Sequence, residues 1–362
     1  MLASLFAAAL AVAAQCDLEA PSGAPNCERR QVDTLRIDQI QAIGTHNSYK
    51  QAISPKQMAM LRAVNAKEAA NIDYAHPPLS DQLAAGARQL EIDVLNDPQG
   101  GRYADPLGMK MAPDVPYDLA PLKGPGLKVM HAQDIDYRSS CPLFTGCLAE
   151  IRAWSKAHPD HVPLLILLNL KEGGLNVPGA VQAVTFDAQA MDAVDAEIRS
   201  VFAPGDLITP DQIQGRYATL RDAALAHAWP TLKAARGKVM FALDAPRNQV
   251  DLYRGDRKSL EGRVMFVNID EASPAAAYIT LNEPKEQAAR IAAAVRAGLI
   301  VRTRADADTN EARTGDRSRQ EAAFAAGAQY VSTDYMKPDP RLGSYEAHLP
   351  GGGVARVSPA SR

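Results

Sequence analysis

The chain has 362 residues, of which 46% are hydrophobic and 22% are charged, an ordinary composition for a globular protein with a sizeable core. Its 39 basic and 42 acidic residues give a formal net charge of −3. No basic cluster indicates a nucleic-acid partner, so recognition should depend on a local site rather than on a global field.

The first 15 residues, MLASLFAAALAVAAQ, form an apolar run that ends in small residues, as a signal peptide does. The run is too short to span a bilayer. We therefore expect an exported protein, either periplasmic or extracellular. Beyond it we expect one catalytic domain over residues 16–345, in a monomer, and a loosely held Gly/Pro/Ser-rich tail over residues 346–362.

The four cysteines lie in two local pairs, Cys16 with Cys27 and Cys141 with Cys147. An even number of cysteines in local pairs favours disulfide bonds in an oxidising compartment. Metal binding is the alternative, although the spacings are not those of a zinc ribbon.

Eight short apolar segments, each bounded by glycine, proline or charged residues, are predicted to be buried parallel strands. They lie at residues 39–45, 89–95, 128–133, 163–171, 238–244, 264–270, 299–304 and 330–335. Amphipathic helical stretches alternate with them. This order predicts an α/β fold, a (β/α)8 TIM barrel, with an open doubly wound sheet as the alternative. No P-loop, dinucleotide-binding glycine motif or GxSxG elbow is present.

Polar residues stand at the end of nearly every predicted strand, where a barrel places its active site. They are His46, Asn47, Glu91, Asp93, His131, Asn169, Lys171, Asp244, Asn268, Asp270, Arg302, Arg304 and Asp334. Residues two apart in a strand share a face, so Glu91 and Asp93 should project together. Two enclosed carboxylates repel each other unless a cation lies between them, and calcium with oxygen ligands suits such a place.

Two histidines and three cations complete this set. His46 and His131 could flank a substrate, one accepting a proton and the other donating one. Arg302, Arg304 and Lys171 supply positive charge for a phosphate group. The sum predicts a phosphodiester site. The ordinary alternatives are that the histidines are structural and that the two arginines simply pair with the carboxylates.

Three segments carry a family resemblance. GTHNSY, HPPLSDQLAAGARQLEIDV and VMHAQDID resemble the catalytic X region of phosphoinositide-specific phospholipases C, and more closely the bacterial exported calcium-dependent group. The late run IVRTRADADTNEARTGDRSRQEAAFAAGAQYVSTDY is similar to that group too. The resemblance implies a PLC-like phosphodiesterase barrel that cleaves a phosphoinositide on the diacylglycerol side. It implies His46 and His131 as catalytic histidines, and Asn47, Glu91 and Asp93 as Ca²⁺ ligands.

The identity of the fourth calcium ligand stays open at this point. Where the eukaryotic pattern has a carboxylate at the end of strand four, this chain has Asn169, with Glu172 three residues later. Either residue supplies the ligand, or the cage carries less negative charge. Because strand eight of a barrel closes beside strand one, we also expect Asp334 to orient His46.

Two other functions compete with a phospholipase C. One is a glycerophosphodiester phosphodiesterase on the same barrel, and the other is an exported, non-catalytic lipid-binding barrel. The Pro-rich segment 106–126 is an ordinary surface loop in the simplest interpretation. It is also the best candidate for a rim that touches the membrane surface, because a lipid substrate requires peripheral contact.

Overall fold

A computed structural model describes residues 16–361 of the chain. The predicted signal peptide at residues 1–15 lies outside the described residues. Within residues 16–361, no helix has the length and apolar character needed to cross a membrane.

The described residues contain eleven strands. They are β1 (Ile40–Thr45), β2 (Gln89–Leu95), β3 (Lys128–Val129), β4 (Leu164–Leu170), β5 (Leu207–Ile208), β6 (Val239–Leu243), β7 (Met265–Val267), β8 (Tyr278–Thr280), β9 (Ile300–Arg304), β10 (Tyr330–Thr333) and β11 (Ala355–Val357).

Helices occupy most of the connections between the strands. The α-helices are α1 (Arg29–Val32), α2 (Pro55–Val64), α3 (Ala66–Asn71), α4 (Leu79–Ala84), α5 (Leu107–Met111), α6 (Phe144–Ala157), α7 (Ala188–Val201), α8 (Pro210–Gln214), α9 (Leu220–Leu225), α10 (Leu232–Ala235), α11 (Arg247–Arg254), α12 (Pro284–Arg296), α13 (Asn310–Thr314) and α14 (Ser318–Ala326). Short 3₁₀ helices span Ile37–Gln39, Ala120–Lys123 and Pro204–Asp206.

Eight of the strands form a closed parallel barrel in the order β1, β2, β4, β6, β7, β8, β9 and β10, with β10 returning to β1. Two pairs of neighbouring barrel strands are joined by only one residue pair each. β1 and β2 share the single pair Gly44–Gln89, and β7 meets β8 at the bridge Asn268–Tyr278. A Cβ on Gly44 would lie 2.3 Å from the Gln89 carbonyl oxygen, so only glycine permits this approach. The predicted barrel is confirmed.

The set of eight barrel strands differs from the predicted set in one strand. The segment predicted at 128–133 forms only β3, which pairs antiparallel with β2 and lies outside the barrel. The eighth barrel strand is instead β8, a three-residue strand that the search for apolar segments did not identify. The prediction of a third barrel strand at 128–133 was therefore wrong, because an apolar segment does not reveal which neighbour it will pair with.

The end of the described chain is attached to the barrel. β11 pairs antiparallel with β1, and Ala355 and Ser358 are fully buried. The expectation of a loosely held segment here was wrong, because a Gly/Pro-rich composition does not show that a short strand follows it. The division of the chain at residue 345 stays a prediction.

Both predicted disulfide bonds are present, Cys16–Cys27 and Cys141–Cys147. The second one joins the loop before α6 to the first turn of that helix. The first one joins the start of the described chain to the residues before α1. The alternative of a metal site made by these cysteines is thereby excluded.

A buried histidine supports the amino-terminal end of β4. His161 is 1% exposed, its Nδ1 donates to the Val162 carbonyl (2.6 Å), and its Nε2 accepts from Ser155 Oγ (2.7 Å). These contacts use the one donor and the one acceptor of a neutral imidazole. Burial lowers the pKa of His161 to about 4.

This histidine should weaken the fold as the pH falls. Below its ordinary pKa of 6.5, the unfolded chain binds a proton that the folded chain refuses until about pH 4, so the free energy of unfolding decreases over that interval. The full effect is about 3 kcal/mol. His161→Gln should remove this part of the pH dependence in urea unfolding curves.

The matched control for this prediction is His348→Gln, which changes a histidine whose side chain is 58% exposed. That variant should keep the wild-type dependence of unfolding free energy on pH. Identical pH slopes for wild type and His161→Gln would contradict the assignment of the proton to this site.

Candidate active site

The predicted site residues gather at the carboxyl ends of the barrel strands. His46 and Asn47 follow β1, Glu91 and Asp93 lie in β2, Asn169 and Lys171 end β4, Arg302 and Arg304 lie in β9, and Asp334 follows β10. His131 comes two residues after β3, whose antiparallel pairing with β2 brings it to the same region.

His46 is held by the end of β10. Its backbone N–H donates to the Thr333 carbonyl (3.2 Å), and its Nδ1 donates to Asp334 Oδ1 (2.9 Å). Because the carboxylate accepts this bond, Nδ1 carries the proton and Nε2 presents its lone pair. Nε2 lies 3.7 Å from Glu91 Oε1. The expected contact between Asp334 and His46 is therefore present.

The charges around this pair favour a neutral imidazole beside an ionised carboxylate. Burial and the nearby Arg304 guanidinium lower the pKa of His46, although Asp334 and Glu91 act in the opposite direction. Burial raises the pKa of Asp334, but His46, His76 and Arg304 together outweigh it and hold this pKa well below its usual value. A neutral His46 can accept a proton at Nε2.

Two residues that the sequence reasoning missed support His46. His76 Nε2 donates to the His46 carbonyl (2.8 Å) and lies 3.8 Å from Asp334 Oδ1. Tyr74 Oη accepts from Asn47 Nδ2 (2.8 Å) and lies 3.3 Å from His46 Nδ1. Both residues precede α4 and follow no strand, so a search for polar strand ends could not find them.

The two β2 carboxylates project together, as their spacing predicts, and each is neutralised by a cation. Arg302 pairs with Glu91 Oε2, while Asn169 Nδ2 donates to Glu91 Oε1 (2.8 Å). Lys171 Nζ lies 3.0 Å from Asp93 Oδ2. Burial lowers the pKa of Lys171, but Asp93 and Glu91 outweigh this effect and raise it.

The candidate calcium ligands offer the hard oxygen atoms that this ion prefers. Asp93 Oδ1 is buried and lacks a hydrogen-bond partner, which marks an oxygen still able to bind a cation. Within the described part of the chain, no group of three or more histidine, cysteine or acidic side chains is placed to hold a metal. A calcium site here would need Glu91 and Asp93 together with amide oxygens from Asn47 and Asn169, and this ligand set stays a prediction.

The two candidates for the fourth ligand differ in their contacts. Asn169 contacts Glu91, although it presents its Nδ2 to that carboxylate and would have to turn to offer its oxygen. Glu172 is exposed and accepts the backbone N–H of Phe186 (2.7 Å) instead. Asn169 is the candidate that lies beside the carboxylate pair.

The predicted substrate-binding arginines form ion pairs with acidic residues of the site. Arg302 is 1% exposed and also donates to Asn282 Oδ1 (2.7 Å). Arg304 Nη2 donates to Asp334 Oδ2 (3.2 Å). This is the ordinary alternative that the sequence left open, and it leaves Lys171, whose side chain is 33% exposed, as the more accessible cation.

His131 lines a cavity of about 350 Å³ together with Gln133, Lys171 and Glu172. Its Nδ1 donates to Asp136 Oδ2 (2.9 Å), and its side chain is 24% exposed. Asp136 was not among the predicted site residues, because it lies in the loop after β3. The cavity is large enough for a polar head group, and it brings a histidine and a cation to the same space.

Comparisons with known proteins show the family and the fold of this chain. The model of the family "Phosphoinositide phospholipase C, Ca2+-dependent" matches residues 35–359. No curated protein sequence gives a significant match. Similar solved structures include two bacterial enzymes with low sequence identity, which therefore inform on the fold alone.

One of these is a calcium-dependent phosphoinositol-specific phospholipase C from a Pseudomonas species, with a TM-score of 0.56 and 16% identity, covering 90% of this chain and 96% of that one. The other is a Ca²⁺-dependent phosphatidylinositol-specific phospholipase C from Streptomyces antibioticus, with a TM-score of 0.53 and 17% identity, covering 83% and 95%. Because the family model matches residues 35–359, most of the chain, the chain belongs to the Ca²⁺-dependent phosphoinositide phospholipase C family.

Proposed function

We propose that this protein cleaves the phosphodiester of phosphatidylinositol by acid/base catalysis, releasing diacylglycerol and a cyclic inositol phosphate. The observation that carries the proposal is the matched support of two histidines. His46 and His131 each donate Nδ1 to a buried carboxylate, which leaves both Nε2 atoms for proton transfer.

His46 is the base and His131 is the acid. The neutral imidazole of His46 takes the proton of the inositol 2-hydroxyl, whose oxygen attacks phosphorus. His131 donates a proton from Nε2 to the departing glycerol oxygen, so that a neutral alcohol leaves. Asp334 fixes the tautomer of His46 and stabilises the imidazolium that forms.

Asn47, Glu91, Asp93 and Asn169 are the residues that would hold calcium. When bound, the ion supplies positive charge that offsets the charge developing on the phosphoryl oxygens. Lys171 places a further positive charge beside the same carboxylates and next to the His131 cavity. Arg302 and Arg304 form ion pairs with Glu91 and Asp334 and hold these carboxylates in place, so their effect on the phosphate is indirect.

The attacking group distinguishes this function from that of a glycerophosphodiesterase. A substrate panel of phosphatidylinositol, its 2-deoxy analogue and glycerophosphocholine should show turnover of the first alone, because the proposed attack needs the 2-hydroxyl. Turnover of glycerophosphocholine at a comparable rate would favour the competing hydrolase. Lipid binding without any turnover would favour a non-catalytic barrel.

Asp334→Asn should reduce kcat by about 10²–10⁴-fold, because an amide neither fixes the tautomer of His46 nor stabilises its charge. Diacylglycerol release at saturating substrate measures this loss. Asp339→Asn is the matched control, since that carboxylate pairs with Arg341 outside the site. Full activity of Asp334→Asn would contradict the assigned role.

Contact with a lipid surface is proposed for the rim around the same barrel end. The exposed apolar side chains Val64, Met111 and Val115 lie in the connections that follow β1 and β2, and they are 83%, 62% and 48% exposed. The backbone N–H of Lys56 donates to Asp114 Oδ2 (2.8 Å), which joins α2 to the predicted loop 106–126. The two exposed patches therefore belong to one rim.

Met111→Ser combined with Val115→Ser should lower activity on phosphatidylinositol vesicles and leave activity on a soluble short-chain substrate unchanged. Removing two partly exposed apolar side chains weakens membrane binding by about 2–3 kcal/mol in total. The control is Leu225→Ser, which changes a 39% exposed leucine at the end of α9, remote from the rim. Equal losses on both substrates would contradict a membrane role.

We also propose that the protein is exported to an oxidising compartment. The two disulfide bonds fit such a compartment, where thiols oxidise. A phosphoinositide outside the producing cell is then the accessible substrate, and contact with its membrane would be peripheral.

A further inference from the structure

Lys50 is a buried lysine that neither the strand-end pattern nor the proposed mechanism uses. Its side chain is 0% exposed, and its Nζ donates to the Ile72 and Tyr74 carbonyls, each at 2.9 Å. Nζ also lies 4.8 Å from the centre of the Tyr74 ring. A lysine is almost never fully buried without compensation, so its fourth contact decides what it does.

That fourth contact is Asp136, which connects Lys50 to His131. Lys50 Nζ lies 3.2 Å from Asp136 Oδ1, and Asp136 Oδ2 accepts from His131 Nδ1 (2.9 Å). The Asp136 side chain is also 0% exposed. Burial raises the pKa of Asp136, but Lys50 and His131 outweigh it and keep the pKa below its usual value.

We infer that Lys50 and Asp136 are positioning residues for the protonation of the leaving group by His131. The inference rests on the proposed function, in which the bond between phosphorus and the glycerol oxygen breaks and its electron pair stays on that oxygen. The proton on His131 Nε2 moves to this oxygen. His131 ends as a neutral ring that still donates Nδ1–H to Asp136.

The fixed position of the Lys50 ammonium explains why this arrangement favours proton transfer from His131 Nε2 to the substrate. Two carbonyls and an aromatic ring hold the Lys50 ammonium 3.2 Å from Asp136 Oδ1, so its charge favours the rotamer in which Asp136 Oδ2 faces His131. The positive charge of Lys50 also opposes transfer of the His131 proton to Asp136. His131 therefore keeps one ring orientation, with Nε2 as the nitrogen that serves the cavity.

A buried ion pair that serves only the fold is the competing explanation. The two explanations differ in how they respond to the leaving group. The glycerol oxygen of diacylglycerol must receive a proton as it leaves, whereas a nitrophenyl ester of inositol phosphate releases a stable nitrophenolate without one. A positioning role for the acid should matter for the first substrate and not for the second.

The experiment measures kcat and KM for both substrates in wild type, Asp136→Asn and Lys50→Met. Both variants should lower kcat for phosphatidylinositol by about 10²-fold or more, and lower kcat for the nitrophenyl ester by less than about tenfold. KM should change little for either substrate. Equal losses of kcat with the two substrates, or no loss at all, would overturn the inference.

Two further variants keep the test decisive. The double variant Lys50→Met with Asp136→Asn removes both charges, so no unpaired charge is left to unfold the protein, and its loss should match that of Asp136→Asn alone. Tyr74→Phe removes the contacts of that hydroxyl with His46 and Asn47, and it should slow both substrates equally. A wild-type protein that turns over neither substrate would instead overturn the proposed function.

Discussion

Buried carboxylates at one end of a parallel barrel must each be compensated, and the rest of the site depends on that requirement. An unpaired buried carboxylate costs several kcal/mol, so removing one partner of a buried pair is strongly destabilising. Four of the buried carboxylates here have a cation of their own: Glu91 pairs with Arg302, Asp93 with Lys171, Asp334 with Arg304, and Asp136 with Lys50. Lys171, Arg302 and Arg304, which the sequence suggests as substrate-binding cations, therefore compensate buried carboxylates of the protein itself.

The same compensation gives the two histidines equivalent supports. Asp334 and Asp136 each hold an Nδ1 proton on one oxygen and face a cation with the other. What differs is the surroundings of Nε2, since His46 lies beside Glu91 and His131 lines an open cavity with Lys171. One histidine therefore lies next to the proposed calcium ligands and the other lies where a leaving group could enter, which separates the base from the acid.

The sequence predicted the site residues that lie on barrel strands and missed several that lie in loops. Residues two apart on parallel strands must point into one barrel end, so Glu91, Asp93 and Asp334 could be placed together without coordinates. β8 was missed although the equally short β7 was predicted, and β3 was misplaced because the direction in which a strand pairs is decided by tertiary contacts. Tyr74, His76, Lys50 and Asp136 come from connections whose paths no local pattern specifies.

Diacylglycerol release from phosphatidylinositol, with and without a calcium chelator, tests the central claim most directly when wild type is compared with His46→Ala and His131→Ala. We expect full activity in the wild type only, lost on chelation and restored by added calcium. Each histidine variant should lose about 10²–10⁴-fold while keeping the wild-type unfolding midpoint. Activity that survives either histidine substitution at the wild-type level would contradict the account.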